Sequence, residues 1–518
     1  MPTDNIATVR KGTAPLFEGG DWTFDRLARA YDAIEAVAQE ELRLDTYPNR
    51  IEVISSEQML DAYASFGMPI MYRHWSFGKR FAREEHYYRK GLMNLAYEIV
   101  INSNPCISYL MEENTMAMQT LVMAHAGFGH NHFFKNNYAF RQWTDAAGIL
   151  DFLDYAKSFV ARCEERYGAA AVERVLDAVH ALGDHGVFRF RRPPEPTPTE
   201  RRRRERVRIE DEERSYNDVW RTVAPVREHK EERTLAAQER EAKRKRDLKL
   251  PEENLLYFIE RYSPILEEWQ REILRIAREI NQYFYPQKQT KVMNEGCACF
   301  VHHYIANALY DRGLLTEGAM LEILHQHSSV IAQPAYDSAT YFGINPYALG
   351  FAMMQDIRRI CTEPTAEDRE WFPSFAGNGD WGAVLKDAWA NFRDESFIRQ
   401  FLSPRLIRQW RLFVILDESN ASDLLVSDIH DERGYAQIRD AVASSYDLAA
   451  IEPDVQVVDA DLAGDRQLRL RHNMRDGIPL QEPERQKVVN HVRSLWGFDV
   501  SLIGVDAVGA EWFEVRSE

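Results

Sequence analysis

Histidine and glutamate side chains of the kind that bind metal ions are concentrated in two separate stretches of the sequence. The first stretch contains three imidazoles within eight residues: His125, His130 and His132. The second contains Glu295 and, seven positions later, His302. Neutral imidazole and carboxylate are ligands that zinc, iron and manganese accept. The two stretches together predict a divalent metal site with mixed nitrogen and oxygen donors.

The spacing within each stretch decides whether a helix can present its ligands on one side. Glu295 and His302 are separated by two turns of an α-helix, so they share a face. His125 and His130 are five residues apart, which is about 140° around an ideal α-helix. A single π-bulge would return them to one face, and the two glycines between them make such a distortion easy. We predict that all four side chains bind the ion, with the two histidines of the first stretch depending on that distortion.

The sequence departs from the zinc-peptidase pattern, in which a glutamate directly follows the first histidine. The candidate for the general base, or for an additional ligand, is therefore Glu113, upstream of the histidine stretch. Cys297 and Cys299 are separated by one residue and are predicted to be small packing residues. The alternative for the whole cluster is structural, with the histidines satisfying hydrogen bonds in the protein core.

Two further groups of residues are weaker candidates. Residues 73–79 combine aromatic and basic side chains, and within them His74 and Lys79 are candidates for lining a pocket or binding an anion. Cation–π packing explains the same composition. Residues 333–351 place several tyrosines, including Tyr347, around the predicted start of a helix, where anions can bind. Helix capping and aromatic packing are the alternative there.

Helices are predicted to position most of these side chains. Apolar residues at helical spacing indicate helices at 22–42, from about 107 to 125, at 151–182 with a break at Gly168, and at 251–285, 291–315 and 316–326. A short apolar run at 97–101 predicts a strand. Asn345 followed by Pro346 predicts the start of a helix that runs to about residue 360.

The predicted fold is mainly α, with a large helical body, a charged insertion and a small C-terminal α+β module. The body occupies residues 1–192 and 251–427. Residues 193–250 begin with several prolines and continue with charged residues, which predicts an exposed arm or a flexible insertion. Residues 428–518 form the module, with paired strands at 455–461 and 467–472, a helix at 483–496 and a strand at 499–505.

The composition argues against several classes of protein. A net charge of −17 over 518 residues opposes nucleic-acid binding, because phosphate binding needs a positive field. The arginine run at 201–208 is followed at once by acidic residues, so we interpret it as part of a solvated arm. The sequence shows no secretory signal and no apolar run near the roughly 18 residues that span a bilayer. The five cysteines suggest no disulfide framework, which predicts a reducing, cytoplasmic location.

Several longer motifs resemble, in order along the chain, those of the SpoVR family of stage V sporulation protein R-like proteins. They are residues 73–79, 97–105, 109–114, 125–137, 251–256, 285–287, 290–296 and 345–350. The resemblance extends from about Trp22 through the C-terminal module. It places Glu295 and His302 in register with the family, and the five-residue spacing of His125 and His130 resembles the form in non-sporulating relatives.

The resemblance implies a bacterial, cytosolic protein connected with spore cortex formation or stress physiology. It also implies two partners, a PrkA-like serine kinase and a von Willebrand A-domain protein. The family has no established activity, so two functions stay open. One is a metal-dependent hydrolase with a zincin-like His/Glu site that acts in cell-envelope, sporulation or stress physiology. The other is a non-enzymatic regulatory partner of the kinase and the A-domain protein.

Overall fold

The structure is a computed structural model that describes residues 14–64, 68, 71–89, 98–190, 245, 248–335, 338, 341, 343–416, 425–428, 430–475 and 477–517. Most of the predicted charged arm, residues 193–250, lies outside the described residues. The described chain is mainly α, as predicted. It divides into two compact units, one made of Met1–Asp177 and Glu279–Glu452, the other of Ala178–Arg278 and Pro453–Glu518.

The helices, in chain order, are α1 (Phe24–Glu40), α2 (Ser56–Ala64), α3 (Trp75–Arg89), α4 (Met116–Val122), the π-helix (Met123–His130), α5 (Asn131–Asn136), α6 (Tyr138–Trp143), α7 (Ile149–Tyr167), α8 (Ala169–Ala181), α9 (Leu255–Tyr262), α10 (Glu268–Gln289), α11 (Lys291–Asp311), α12 (Glu317–Val330), α13 (Pro346–Thr362), α14 (Ala366–Trp371), α15 (Trp381–Asn391), α16 (Asp394–Phe401), α17 (Pro404–Gln409), α18 (Glu432–Ser444), α19 (Leu448–Ile451) and α20 (Glu482–Trp496). The strands are β1 (Asn49–Ile54), β2 (Glu98–Ile101), β3 (Cys106–Met111), β4 (Val414–Leu416), β5 (Leu425–Asp428), β6 (Asp454–Ala460), β7 (Leu468–Asn473), β8 (Val500–Val505) and β9 (Glu511–Arg516).

A three-stranded sheet in the first unit has the order β1-β3-β2, with β1 parallel and β2 antiparallel to the central β3. The strand predicted at 97–101 is confirmed as β2. The helix predicted from about residue 107 is wrong at its start, because residues 107–111 belong to β3 and α4 begins only at Met116, capped by Thr115. A short apolar run buried between two strands has no polar alternation, so periodicity cannot distinguish it from a buried helix.

The predicted distortion of the histidine helix is confirmed. Residues 123–130 form a π-helix between α4 and α5, and the N–H of Asn131 donates to the carbonyl of Ala126, five residues earlier. The glycine at 129 permits close packing of this helix on α11, because a Cβ there would lie 2.5 Å from the Cα of Ala298. The π-helix therefore has a fixed position against its neighbour.

α11 crosses the core of the first unit and is buried along most of its length. Its first turn is capped by Asp394, whose carboxylate oxygens accept the N–H groups of Val292 and Met293 at 2.8 Å each. Gly296 meets Gly350 of α13 so closely that a Cβ on either would be less than 3 Å from the other backbone. The predicted helix start at Asn345 is confirmed, since its side chain accepts the N–H of Tyr347.

The second unit contains a four-stranded sheet of order β6-β7-β8-β9. β6 and β7 pair antiparallel, and β7 and β8 pair parallel. The paired strands, the helix at 483–496 and the strand at 499–505 predicted from the sequence are all confirmed, whereas β9 was not predicted. Among the described residues, the helices lack the length and apolarity needed to cross a membrane.

Candidate metal centre

A group of imidazoles and carboxylates lies where three elements of the first unit meet. The π-helix carries His125 and His130, whose rings meet edge to face with their centroids 4.7 Å apart. α11 contributes Glu295 and His302, and β2 contributes Glu98. The two sequence stretches that predicted a metal site are therefore adjacent in the fold, and the π-helix is what places both histidines on the same side.

The Nε2 atoms of both histidines face carboxylates. His125 Nε2 lies 3.4 Å from Glu98 Oε1 and 3.8 Å from Glu295 Oε2. His130 Nε2 lies 3.5 Å from the same oxygen of Glu295. The two histidine side chains are 6% and 9% exposed, and each carboxylate side chain is 17% exposed. Two imidazole nitrogens and two carboxylates thus converge on one small volume that is mostly shielded from solvent.

The orientation of His130 favours a cation beside Glu295. His130 Nδ1 lies 2.8 Å from Asn294 Oδ1, which is an acceptor, so Nδ1 carries the ring hydrogen. Burial lowers the pKa of His130 to about 4, so its ring is neutral at pH 7 and Nε2 has a lone pair. This lone pair faces a carboxylate oxygen at 3.5 Å, and two acceptors so placed repel unless a cation lies between them. The residues present therefore fit a divalent metal ion.

The environments of the two glutamates push their pKa values in opposite directions. Burial would raise the pKa of Glu295, but the two histidines and a hydrogen bond from Tyr347 outweigh it and lower the pKa. Burial raises the pKa of Glu98, although His125 opposes this. Burial alone would lower the pKa of His125, but the two carboxylates outweigh it and raise the pKa. Glu295 is thus held as a carboxylate, whereas Glu98 accepts a proton more readily.

His302 lies behind His125 rather than beside the carboxylates. His125 Nδ1 and His302 Nδ1 are 2.9 Å apart, and His302 Nε2 is 2.8 Å from His327 Nδ1. If His125 uses Nε2 as a ligand, Nδ1 carries the hydrogen and donates it to His302, which in turn donates to His327. Outer partners of this kind fix the orientation of a metal-binding imidazole.

We expect His302→Asn to weaken metal binding by about 10- to 100-fold without abolishing it, because His125 loses its orienting partner but keeps its own Nε2. Competition with a fluorescent chelator measures the affinity. His303→Asn is the matched control, since His303 is the next residue on the same helix and its ring lies against that of His327, with the centroids 4.9 Å apart and the ring planes tilted by 36°. Loss of metal as complete as in His130→Ala would instead make His302 a direct ligand, as predicted from the sequence.

Glu98 is a site residue that sequence reasoning missed. It lies in one of the motifs that resemble the family and is the single carboxylate in an otherwise apolar strand, and that contrast is the signal that could have indicated it. Glu113, the predicted general base, is exposed in the turn after β3. The carboxylates that contact the histidines are Glu98 and Glu295. Tyr347, from the weaker group at residues 333–351, also joins the site through its hydrogen bond to Glu295.

His132, Cys297 and Cys299, which are close in sequence to the predicted ligands, have different contacts. His132 is buried, and its Nδ1 lies within hydrogen-bond distance of the backbone N–H and carbonyl of Asp45, at 3.0 Å from each. The thiol of Cys297 donates to the carbonyl of Gly129, 3.8 Å away. Glu98, His125 and His130 form one group of possible donor atoms within 4.8 Å of one another, and Cys299 forms another such group with His125 and His302. Burial raises the pKa of both cysteines well above the usual value, which favours the neutral thiol at each position.

The other predicted candidates, His74 and Lys79, lie away from this centre. His74 caps the start of α3, with Nδ1 2.6 Å from Ser76 Oγ and Nε2 3.1 Å from Asp177 Oδ1. It lines a different cavity, of about 670 Å³. Lys79 is exposed, with its Nζ 5.8 Å from the centre of the Trp75 ring. His74 thus lines a pocket, which is one of the two roles predicted for it, whereas the contact of Lys79 with Trp75 is the cation–π packing of the alternative.

A cavity of about 500 Å³ leads to the centre. Its lining includes the polar side chains of the site: Glu98, His130, Asn294, Glu295 and Tyr347. The remaining wall includes aromatic side chains and residues 99–101 of β2. The volume is typical of pockets that enclose a small molecule or a short stretch of a larger one. The centre is thus accessible to a ligand while its donors stay mostly shielded from water.

The fold and the site together define a class: mainly α proteins with a buried His/Glu centre at the end of a cavity. Family models described as SpoVR like protein and SpoVR-like C-terminal domain match residues 21–451 and 453–507. The chain is 54% identical over 497 residues to a protein of Escherichia coli strain K12 named "Uncharacterized protein YcgB", covering 96% of this chain and 95% of that protein. No solved structure matches. The chain belongs to the SpoVR family, as its motifs predicted.

Proposed function

We propose that this protein is a metal-dependent hydrolase in which His125, His130 and Glu295 hold a divalent cation and Glu98 transfers protons. The observation that carries the proposal is the convergence of two imidazole Nε2 atoms and two carboxylates at the end of a 500 Å³ cavity. Two histidines and a carboxylate are a ligand set used by hydrolytic zinc sites. Iron and manganese accept the same donors.

Each side chain has a distinct task in this proposal. A bound divalent ion would act as a Lewis acid and lower the pKa of a coordinated water. Glu98 takes the proton of the water that attacks the carbonyl carbon of an amide, and delivers it to the nitrogen as the C–N bond breaks. Tyr347 and Asn294 hold Glu295 and His130 in place through their hydrogen bonds. The products are a carboxylic acid and an amine.

We expect Glu98→Gln to reduce hydrolysis by about 100-fold or more while the protein keeps its metal, because the amide cannot accept a proton. The assay measures new amino groups released from a peptide library by protein loaded with zinc, manganese or iron(II). Glu113→Gln is the matched variant, because Glu113 is the base predicted from the sequence. If Glu113→Gln loses activity and Glu98→Gln does not, the proton transfer belongs to Glu113.

A second candidate function is a regulatory partner of a PrkA-like serine kinase and a von Willebrand A-domain protein. It is supported by large apolar side chains exposed on the C-terminal module: Ile478 at 70%, Val508 at 90% and Trp512 at 61%. Exposed apolar groups of this size are common at binding surfaces. We expect Val508→Ser with Trp512→Ser to reduce capture of either partner by a tagged full-length chain by about fivefold or more. Capture equal to wild type would contradict this role.

We propose a cytoplasmic location for either function. All five cysteines are free and buried. A reducing compartment suits a protein without disulfides.

A further inference from the structure

The described wall of the cavity that leads to the centre is largely apolar. Phe134, Tyr283 and Phe284 line it together with Met68 and Ile101. Four of these five residues are at most 4% exposed, and Phe284 is half-buried. Pockets for small molecules usually combine such a wall with a few convergent polar groups. The imidazole and carboxylates of the centre are the polar groups here, so the cavity has the composition of a binding site.

The aromatic side chains of this wall are held close to the proposed ligands. Phe134 follows His130 by four residues, and the two rings are nearly parallel, with centroids 5.8 Å apart and planes at 15°. The hydroxyl of Tyr283 donates to the backbone carbonyl of Asn102 at 2.7 Å, so its polar group is satisfied within the protein. The ring of Phe284 meets that of Tyr283 edge to face at 5.4 Å. An apolar group bound against this wall would therefore lie next to the centre.

The two cations that line the cavity already interact with other groups of the protein. Lys288 Nζ lies 3.8 Å from Glu452 Oε1. Arg80 has interactions of its own as well. A charged ligand would have to compete with these interactions, whereas an apolar ligand gains by displacing water from the aromatic wall. The wall is therefore the feature of the cavity that selects a ligand.

A different cavity of the first unit shows that an aromatic wall is not general. This cavity of about 470 Å³ is lined by charged and polar side chains, among them Glu41, Asp311, Arg312 and Arg358. The aromatic wall belongs to the cavity at the centre, where a bound side chain would lie beside the reacting bond.

We infer that Phe134, Tyr283 and Phe284 bind an aromatic side chain of the substrate, next to the amide bond that is cleaved. This inference rests on the proposed hydrolase function and adds the class of its substrate. Burial of a phenyl ring against such a wall increases affinity by about tenfold to a hundredfold. Amides that carry only small or charged groups beside the bond should be poor substrates.

Binding of two hydroxamates to the zinc-loaded protein tests the inference, because both carry the same metal-binding group and differ only in the arm attached to it. The arm of 3-phenylpropanohydroxamate ends in a phenyl ring, whereas acetohydroxamate has only a methyl group. We expect the phenyl compound to bind about tenfold more tightly or better. A compound whose arm ends in a carboxylate should gain little over acetohydroxamate. Isothermal titration calorimetry measures each affinity.

Phe284→Ala tests the wall separately from the metal-binding group. Phe284 is half-buried, so the variant should fold. It should weaken binding of the phenyl compound by about fivefold or more and change the affinity for acetohydroxamate by less than about twofold. Phe159→Ala is the matched control, because Phe159 is also half-buried and packs against a tyrosine, Tyr155, but does not line the cavity. The control should keep the full preference for the phenyl compound.

Equal affinity for the phenyl and methyl compounds overturns the inference, as does a carboxylate arm that gains as much as the phenyl arm. It is also overturned if the preference survives in Phe284→Ala, or if Phe159→Ala loses it to the same extent. These results differ from failure of the hydrolase itself. A protein that binds neither zinc nor a hydroxamate refutes the function, whereas metal-dependent hydrolysis of amides without an aromatic preference refutes only the substrate class.

Discussion

We expect that replacing either Glu295 or His130 with alanine removes the metal ion that we propose these residues hold. We expect wild-type protein, purified without chelators, to contain about one zinc, iron or manganese ion per chain. Each variant should bind that ion about a hundredfold more weakly or worse, because one of three ligands is lost from a shielded site. In Glu295→Ala the two imidazoles would also lose the carboxylate that their Nε2 atoms face at 3.5 and 3.8 Å. Elemental analysis by mass spectrometry measures the content directly.

His132→Ala is the control for this experiment. His132 is buried in the same histidine motif, but it bonds to the backbone of Asp45 and does not contact the carboxylates. Its replacement should reduce thermal stability and leave the metal content unchanged. Equal metal content in wild type, His130→Ala and Glu295→Ala would mean that the ligand assignment is wrong. Circular dichroism of each variant establishes that loss of metal is not loss of fold.

The parts of the fold that the sequence predicted well are those that local chemistry specifies. The helix that begins at Asn345 has its capping residue and its first-turn proline adjacent in the chain, so the start is visible without tertiary information. The helix break at Gly168 is also specified locally, because the φ of 86° at this residue favours glycine. The strands of the C-terminal module show the alternation expected of half-buried sheets, as in β6 and β7.

The parts that were missed depend on contacts between distant residues. β3 is the central strand between β1 and β2, and none of its residues is exposed, so its apolar run lacks the alternation that would reveal a strand. The role of Glu98 follows from that same sheet, because the pairing of β2 with β3 is what brings its carboxylate to His125. Composition and spacing carry no information on which strand borders the cavity. Similarly, His302 shares a helix face with Glu295, but only the packing of the π-helix places it behind His125.

The number of residues in the π-helix is expected to have a large effect on metal affinity. Deleting Ala126 should leave metal affinity within about tenfold of wild type, whereas inserting one alanine after Ala126 should lower it by about a hundredfold or more. Deletion converts the segment to an α-helix in which the two histidines are four residues apart, about 40° around the axis. Insertion places them six apart, about 240° around the axis, so one imidazole turns away from Glu295. Chelator competition measures both affinities.

The deletion is the stronger test, because removing a buried residue beside the site would ordinarily be expected to destroy it. A π-helix arises when one residue is inserted into an α-helix, so removing that residue leaves α4 and α5 in the same rotational phase. His130 then keeps its hydrogen bond to Asn294, and His125 keeps its place beside Glu98. If the deletion variant folds, as judged by circular dichroism, yet loses its metal, the site requires the π geometry itself. If the insertion variant binds metal as wild type does, His125 and His130 do not act as a pair.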